Sequence, residues 1–168
     1  MRSAAVIWIL LVVGATVGGG ALPWPARGEE GSARTAEARA LTDLGTGALK
    51  EGKAAEAIDY HTRALAIYRE HGLRADEAAS LAAIGDALSY LFVFEAAIPK
   101  YEEAARIYRD LGQEVALARV TVALGRAQML LGRRETAAQH FEDALRIFRR
   151  VGDQARAEEA RTLLNRVR

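Results

Sequence analysis

Three histidines, His61, His71 and His140, are the side chains able to exchange protons near neutral pH or to bind zinc as imidazoles. Their spacings put no two of them on one helical turn, so they form no metal pair. There is no cysteine, which removes disulfides, thiolate nucleophiles, cysteine zinc sites and lipidated-cysteine anchors. Isolated Ser and Asp residues have no base or orienting partner in evidence, and no glycine-rich phosphate loop follows a strand. We therefore expect no catalytic residue, no cofactor, no metal and no small-molecule substrate. His61 reads as a core residue.

Composition narrows the class further. The chain has 168 residues, 51% hydrophobic and 27% charged, the profile of an ordered protein about one domain long. Lys plus Arg number 23 against 22 Asp plus Glu, so no overall field points to nucleic acid or an acidic membrane.

Met1 and Arg2 precede an apolar run from Ala4 to Val17, which dissolves into Gly18-Gly19-Gly20-Ala21. Small residues at Gly19 and Ala21 suit signal peptidase, and we place cleavage after Ala21. Two prolines and a glycine within Leu22 to Gly28 mark residues 22 to 32 as a linker. The expected location is secreted or periplasmic. The competing reading is an uncleaved anchor that holds the rest outside the cytoplasm, because Ala4 to Leu22 spans 19 residues, close to the roughly 20 needed to cross a bilayer.

From there a period of forty residues governs the chain. Gly45, Gly85 and Gly125 follow Leu44, Ile84 and Leu124, and each is followed by two alanines: Ala57 and Ala64, Ala97 and Ala104, Ala137 and Ala144. Between those alanines stands His61, Tyr101 or Phe141. Such spacing belongs to paired amphipathic helices that approach closely where small residues meet. We assign the contact in the first unit to Gly45 and Ala57, with large residues filling the remaining space. The spacing predicts helices over 33 to 51, 53 to 71, 73 to 91, 93 to 111, 113 to 131 and 133 to 151. Ser32 is placed to cap the first. Gly72, Gly112 and Gly152 end the second helix of each pair, while Gly52 and Gly132 turn the chain within the first and third pairs. A last helix from Asp153 to Val167 repeats the opening one without its mate. Asn165 stands in the glycine's place, and the charged side of this helix suits a cap.

These residues resemble the tetratricopeptide repeat, in its longer variety of about forty residues found in kinesin light chains. The resemblance covers residues 33 to 168 and includes Glu95-Ala96-Ala97 after Phe94. It departs from the family pattern where Leu41, Leu81 or Thr121 replaces a frequent tryptophan. It implies an all-α fold, a right-handed solenoid of three helix pairs (33–72, 73–112, 113–152) and a capping helix over 153–168. It also implies a concave groove lined by the first helix of each pair. Carried onto this chain, groove positions are Arg39, Thr42, Thr46, Leu49 and Lys50; Ala79, Ala82, Asp86, Ser89 and Tyr90; and Arg119, Val122, Arg126, Met129 and Leu130. The implied partner is a protein or peptide with an apolar anchor for Leu49, Tyr90, Met129 and Leu130 and one or two carboxylates for the basic ends. The same charges also suit an ordinary solvated face.

Phe92 occupies the turn slot held elsewhere by Gly52 and Gly132. With Phe94 it forms a second candidate patch, which either packs against neighbouring turns or offers a sticky edge to a partner or second copy. Pro99 follows, early in the next helix, where its missing hydrogen bond and ring could bend it. Two functions are therefore open. One is an exported adaptor that binds a partner in the groove. The other is a self-assembling structural subunit that uses the repeat ends and the Tyr90 to Phe94 turn.

Overall fold

The computed structural model describes residues 27–168; the expected signal segment and cleavage site lie outside them. Seven helices follow one another: α1 Arg27–Lys50, α2 Ala54–Glu70, α3 Arg74–Tyr90, α4 Phe94–Asp110, α5 Glu114–Leu130, α6 Arg134–Arg150 and α7 Gln154–Val167. No strand occurs among the described residues. Gly31–Arg168 forms one compact unit.

Every helix end from α1 to α6 is built the same way. The N–H of Lys53, Leu73, Val93, Gln113, Arg133 or Asp153 donates to the carbonyl five residues back at 2.8 to 2.9 Å. That bond requires the intervening residue to adopt a left-handed backbone, which glycine does without steric cost. Five of the six are glycines with φ between +66° and +79°, and the sixth is Phe92 at φ +60°. The turns thus recur every twenty residues, half the period of the sequence.

Packing explains the longer period. A β-carbon at Gly45 would lie 2.7 Å from Nε2 of His61, and at Gly85 or Gly125 it would lie 2.6 Å from Cε1 of Tyr101 or Phe141. The glycine therefore faces the ring-bearing residue, not the alanine assigned to it from spacing. Each ring lies against a helix backbone that has no side chain there. Ala57, Ala64, Ala97, Ala104, Ala137 and Ala144 are each fully buried and let the paired helices close around that contact. Helices touch mainly their neighbours in sequence, and α3 also touches α5, so the first helices of the second and third pairs lie side by side.

The linker and the Ser32 cap expected at the start of the first helix are not found. Residues 27 to 32, read as linker, lie in α1, and Ser32 is no cap: its carbonyl accepts from Thr35 Oγ1 inside the helix. Alanine, arginine and glutamate dominate from Arg27 to Ala40, and their propensity outweighs Gly28 and Gly31. At Pro99 the helix α4 runs unbroken, with Ile98 and Tyr101 buried on either side. At the far end Ala157, Ala160, Leu163, Leu164 and Val167 of α7 are buried, and Asn165 is exposed.

Candidate functional site

The first helices bring their exposed faces together over the second and third pairs. A cavity of about 430 Å³ is lined there by Asp86 and Ser89 of α3, Arg119, Val122, Arg126 and Leu130 of α5, and the Phe92 and Phe94 turn. A smaller one of about 240 Å³ continues it past Ala79 and Ala82, sharing Asp86, Tyr101, Arg119 and Ala123.

At its floor sits a polar trio found in no other unit. The Tyr101 hydroxyl donates to Asp86 Oδ1 at 2.8 Å and lies 3.1 Å from Ser89 Oγ. Enclosure between the helices, then the Asp86 charge, raises the Tyr101 phenol far above its ordinary value, so it remains a donor. Enclosure likewise raises the Asp86 carboxyl, opposed by the Tyr101 hydrogen bond and the Arg119 charge. Asp86 keeps access to solvent while lining both cavities.

Charge is distributed unevenly around the trio. Arg126 pairs with Glu159 of α7 and Arg156 with Asp153. Arg119 makes no ion pair among the described residues, so its guanidinium is available to an acidic group. Beside it Phe92 and Leu130, 79% and 59% exposed, line the same cavity.

Of the residues assigned to the groove from sequence, Asp86, Ser89, Arg119, Val122, Arg126 and Leu130 line the larger cavity; Ala79 and Ala82 line its extension. Arg39, Thr42, Thr46, Leu49 and Lys50 of α1 do not. Thr42 Oγ1 lies 3.1 Å from the Tyr68 hydroxyl, and Leu49 packs with Ala48 and Ala54. Met129 packs with the Phe141 and Phe148 cluster, so neither it nor Leu49 extends the apolar strip. Tyr90 is exposed and reaches back toward Gly52. Phe92 and Phe94 are not a separate patch: they line the same cavity, with ring centroids 6.1 Å apart, edge to face. Phe92 does not pack away into the neighbouring turns.

Repeat spacing alone does not reach Tyr101, Phe148, Arg156 and Glu159, which also line the cavity. Tyr101 sits in the ring slot and reads as core, but the coincidence of Asp86 and Ser89 on the preceding helix is a usable signal for its hydroxyl. Arg156 and Glu159 belong to α7, which reads as a cap alone.

Among the described residues no group of three or more His, Asp or Glu could hold a metal ion, and no helix is long and apolar enough to cross a membrane. His61 is buried, and burial lowers its imidazole below the ordinary value.

A stack of antiparallel helix pairs with an open groove along the first helices defines an all-α helical-repeat solenoid. Residues 36–110, and again 76–150, match the tetratricopeptide repeat family, and the chain belongs to it. Comparison with curated proteins finds no match. Solved structures share the fold. The apo form of RapI superposes with a TM-score of 0.75 at 18% identity, covering 80% of this chain and 37% of RapI. A Rap protein complexed with Competence and Sporulation Factor gives 0.63 at 18% identity, over 79% of this chain and 43% of that one. A Podosopora anserina putative kinesin light chain gives 0.61 at 18%, over 80% and 74%. This chain thus spans less than half of either Rap protein.

Proposed function

We propose that this chain is an adaptor that holds a segment of a partner protein in the groove between α3, α5 and α7. The observation that carries the reading is the juxtaposition of Arg119, free of any ion pair among the described residues, with the exposed side chains of Phe92 and Leu130. An apolar anchor would cover Phe92 and Leu130 while a flanking carboxylate takes Arg119. The Rap protein seen with Competence and Sporulation Factor supports a fold of this kind receiving a ligand. Export is part of the proposal and rests on Met1 to Ala21 alone.

The test is a panel of fluorescent peptides with one leucine or phenylalanine between acidic residues, titrated against the full chain. Arg119→Glu combined with Arg126→Glu should weaken binding at least about tenfold with unchanged helical circular dichroism. Unchanged affinity would move the partner elsewhere. N-terminal sequencing after fractionation decides export, since an intact Met1 in the cytoplasmic fraction would end it.

Self-assembly is favoured by one observation, the exposure of Tyr90, Leu91, Phe92 and Val93 together. Light scattering over a concentration range separates the readings: an assembly abolished by Phe92→Ser selects this one, and a monomer selects the adaptor.

A further inference from the structure

The two ends of the described helix stack are unlike. Ile84, Leu124 and Leu164 occupy one repeat position and are 4 to 5% exposed, whereas Leu44 at the same position is 53% exposed. In the interior that position is covered by the second helix of the preceding pair; Leu65 and Ile58 of α2 pack in the cluster around Ile84. Among the described residues no helix does this for α1. Ala40, Asp43, Leu44, Gly47 and Ala48 instead line an open cavity of about 620 Å³ with Tyr60 of α2.

An ion pair shows what the face is built to receive. Buried Glu77 takes Arg74 from its own helix through Oε2 at 2.8 Å and Arg69 from the covering helix α2 through Oε1 at 3.0 Å. Glu37 stands forty residues earlier, and Arg34 holds its Oε2 at 2.9 Å. Its Oε1, the counterpart of the oxygen that receives Arg69, has no ion-pair partner among the described residues. The half of the motif that belongs to α1 is complete, and among the described residues nothing supplies the half that a covering helix would bring.

Three further positions set the charge of that helix. Ala83 and Ala123 correspond to Asp43, Leu91 and Leu131 to Glu51, and Ala96 and Thr136 to Glu56. All three changes are to acidic residues, and Lys53 neutralises one of them by pairing with Glu51 at 2.7 Å. We infer that the α1 face is a docking site for a basic amphipathic helix of a partner protein, with apolar residues over Leu44 and an arginine on Glu37. A second copy cannot supply it in the same way, because α2, α4 and α6 each already lie between two helices. This face and the groove share no residue, so either can bind without the other.

The probe is a peptide with the sequence of α6, Arg134–Arg150, the helix whose polar and apolar residues separate most sharply and whose four arginines outnumber its three acidic residues. Titrated into the full chain, it should bind more tightly than a peptide of α2, Ala54–Glu70, which has three acidic residues and two arginines. Leu44→Glu and, separately, Glu37→Arg should each weaken the α6 peptide at least about tenfold. Leu44 is exposed, so the fold survives its replacement, which circular dichroism verifies. Arg119→Glu with Arg126→Glu should leave this binding unchanged. No binding, or binding indifferent to Leu44→Glu, overturns the inference. So does a dimer of the chain alone that Leu44→Glu converts to monomer, which would make the occupant a second copy.

Discussion

Gly85 and Tyr101 are locked together: a β-carbon on the glycine would stand 2.6 Å from the tyrosine's Cε1. The same ring carries the hydroxyl that reaches Asp86 at 2.8 Å. The missing side chain on α3 therefore both closes a helix pair and sets the height of the groove's polar floor. Replacement of glycine by alanine within a helix ordinarily gains about 0.5 to 1 kcal/mol. At Gly85 the steric conflict should reverse that sign, with a loss of about 1 to 3 kcal/mol, and Gly85→Leu should lose more. Gly47, where an added β-carbon would meet nothing within 4 Å, should show the ordinary gain. Urea unfolding of Gly47→Ala beside Gly85→Ala checks both signs.

Phe92 holds a left-handed backbone, which costs stability, and a mostly exposed ring that meets the Phe94 ring edge to face. Phe92→Gly should raise stability by about 1 kcal/mol, the usual cost of that conformation for a residue with a β-carbon. Because its ring supplies part of the proposed apolar wall, the same variant should bind apolar-acidic peptides more weakly. A thermal melt paired with a peptide titration should show the two properties moving in opposite directions.

His61 fills a slot that holds a ring of tyrosine or phenylalanine in the other units, and its Nδ1 is buried without a partner. Burial depresses its folded-state pKa, so below the ordinary imidazole value near 6.5 the unfolded chain binds a proton that the folded chain resists. Stability is thus fully present above that pH and declines as pH falls below it. His61→Phe should remove part of this decline and add about 1 kcal/mol at neutral pH by eliminating the unpartnered nitrogen. Melting temperatures from pH 7.5 down to about 5 are the readout; an equal slope in the variant would refute the assignment.

Tyr101→Phe isolates the floor of the groove from its packing. Phe141 shows that the ring alone fits the slot, so stability should change by no more than about 1 kcal/mol. The hydrogen bond from Tyr101 lowers the Asp86 carboxyl, against the rise caused by enclosure. Removing the hydroxyl should therefore push that pKa further up, measurable by carbon NMR titration of the side-chain carboxyl.

The helix pairs were legible because their contacts are one to one. A glycine at position 85 and a ring sixteen residues later constrain each other wherever the rest of the chain goes, and a left-handed turn writes itself as glycine at Gly52, Gly72, Gly112, Gly132 and Gly152. The start of α1 was not, since Gly28 and Gly31 look like breakers until the alanines that follow are weighed. Groove membership was only half legible. Repeat spacing identifies the face of α5, but whether Met129 or Leu130 is left uncovered depends on how closely α6 approaches, and the arrival of Arg156 and Glu159 depends on how the whole stack curves.

The short turns that recur every twenty residues have a kinetic meaning as well. Each is closed by hydrogen bonds spanning five residues, and nearly every helix contact is between sequence neighbours, so little loop entropy opposes assembly from any starting pair. Folding should spread outward one helix at a time and opening should retreat from the two ends. Amide exchange should then be slowest in α4 and α5, which places the floor and wall of the groove on the segment that remains folded longest.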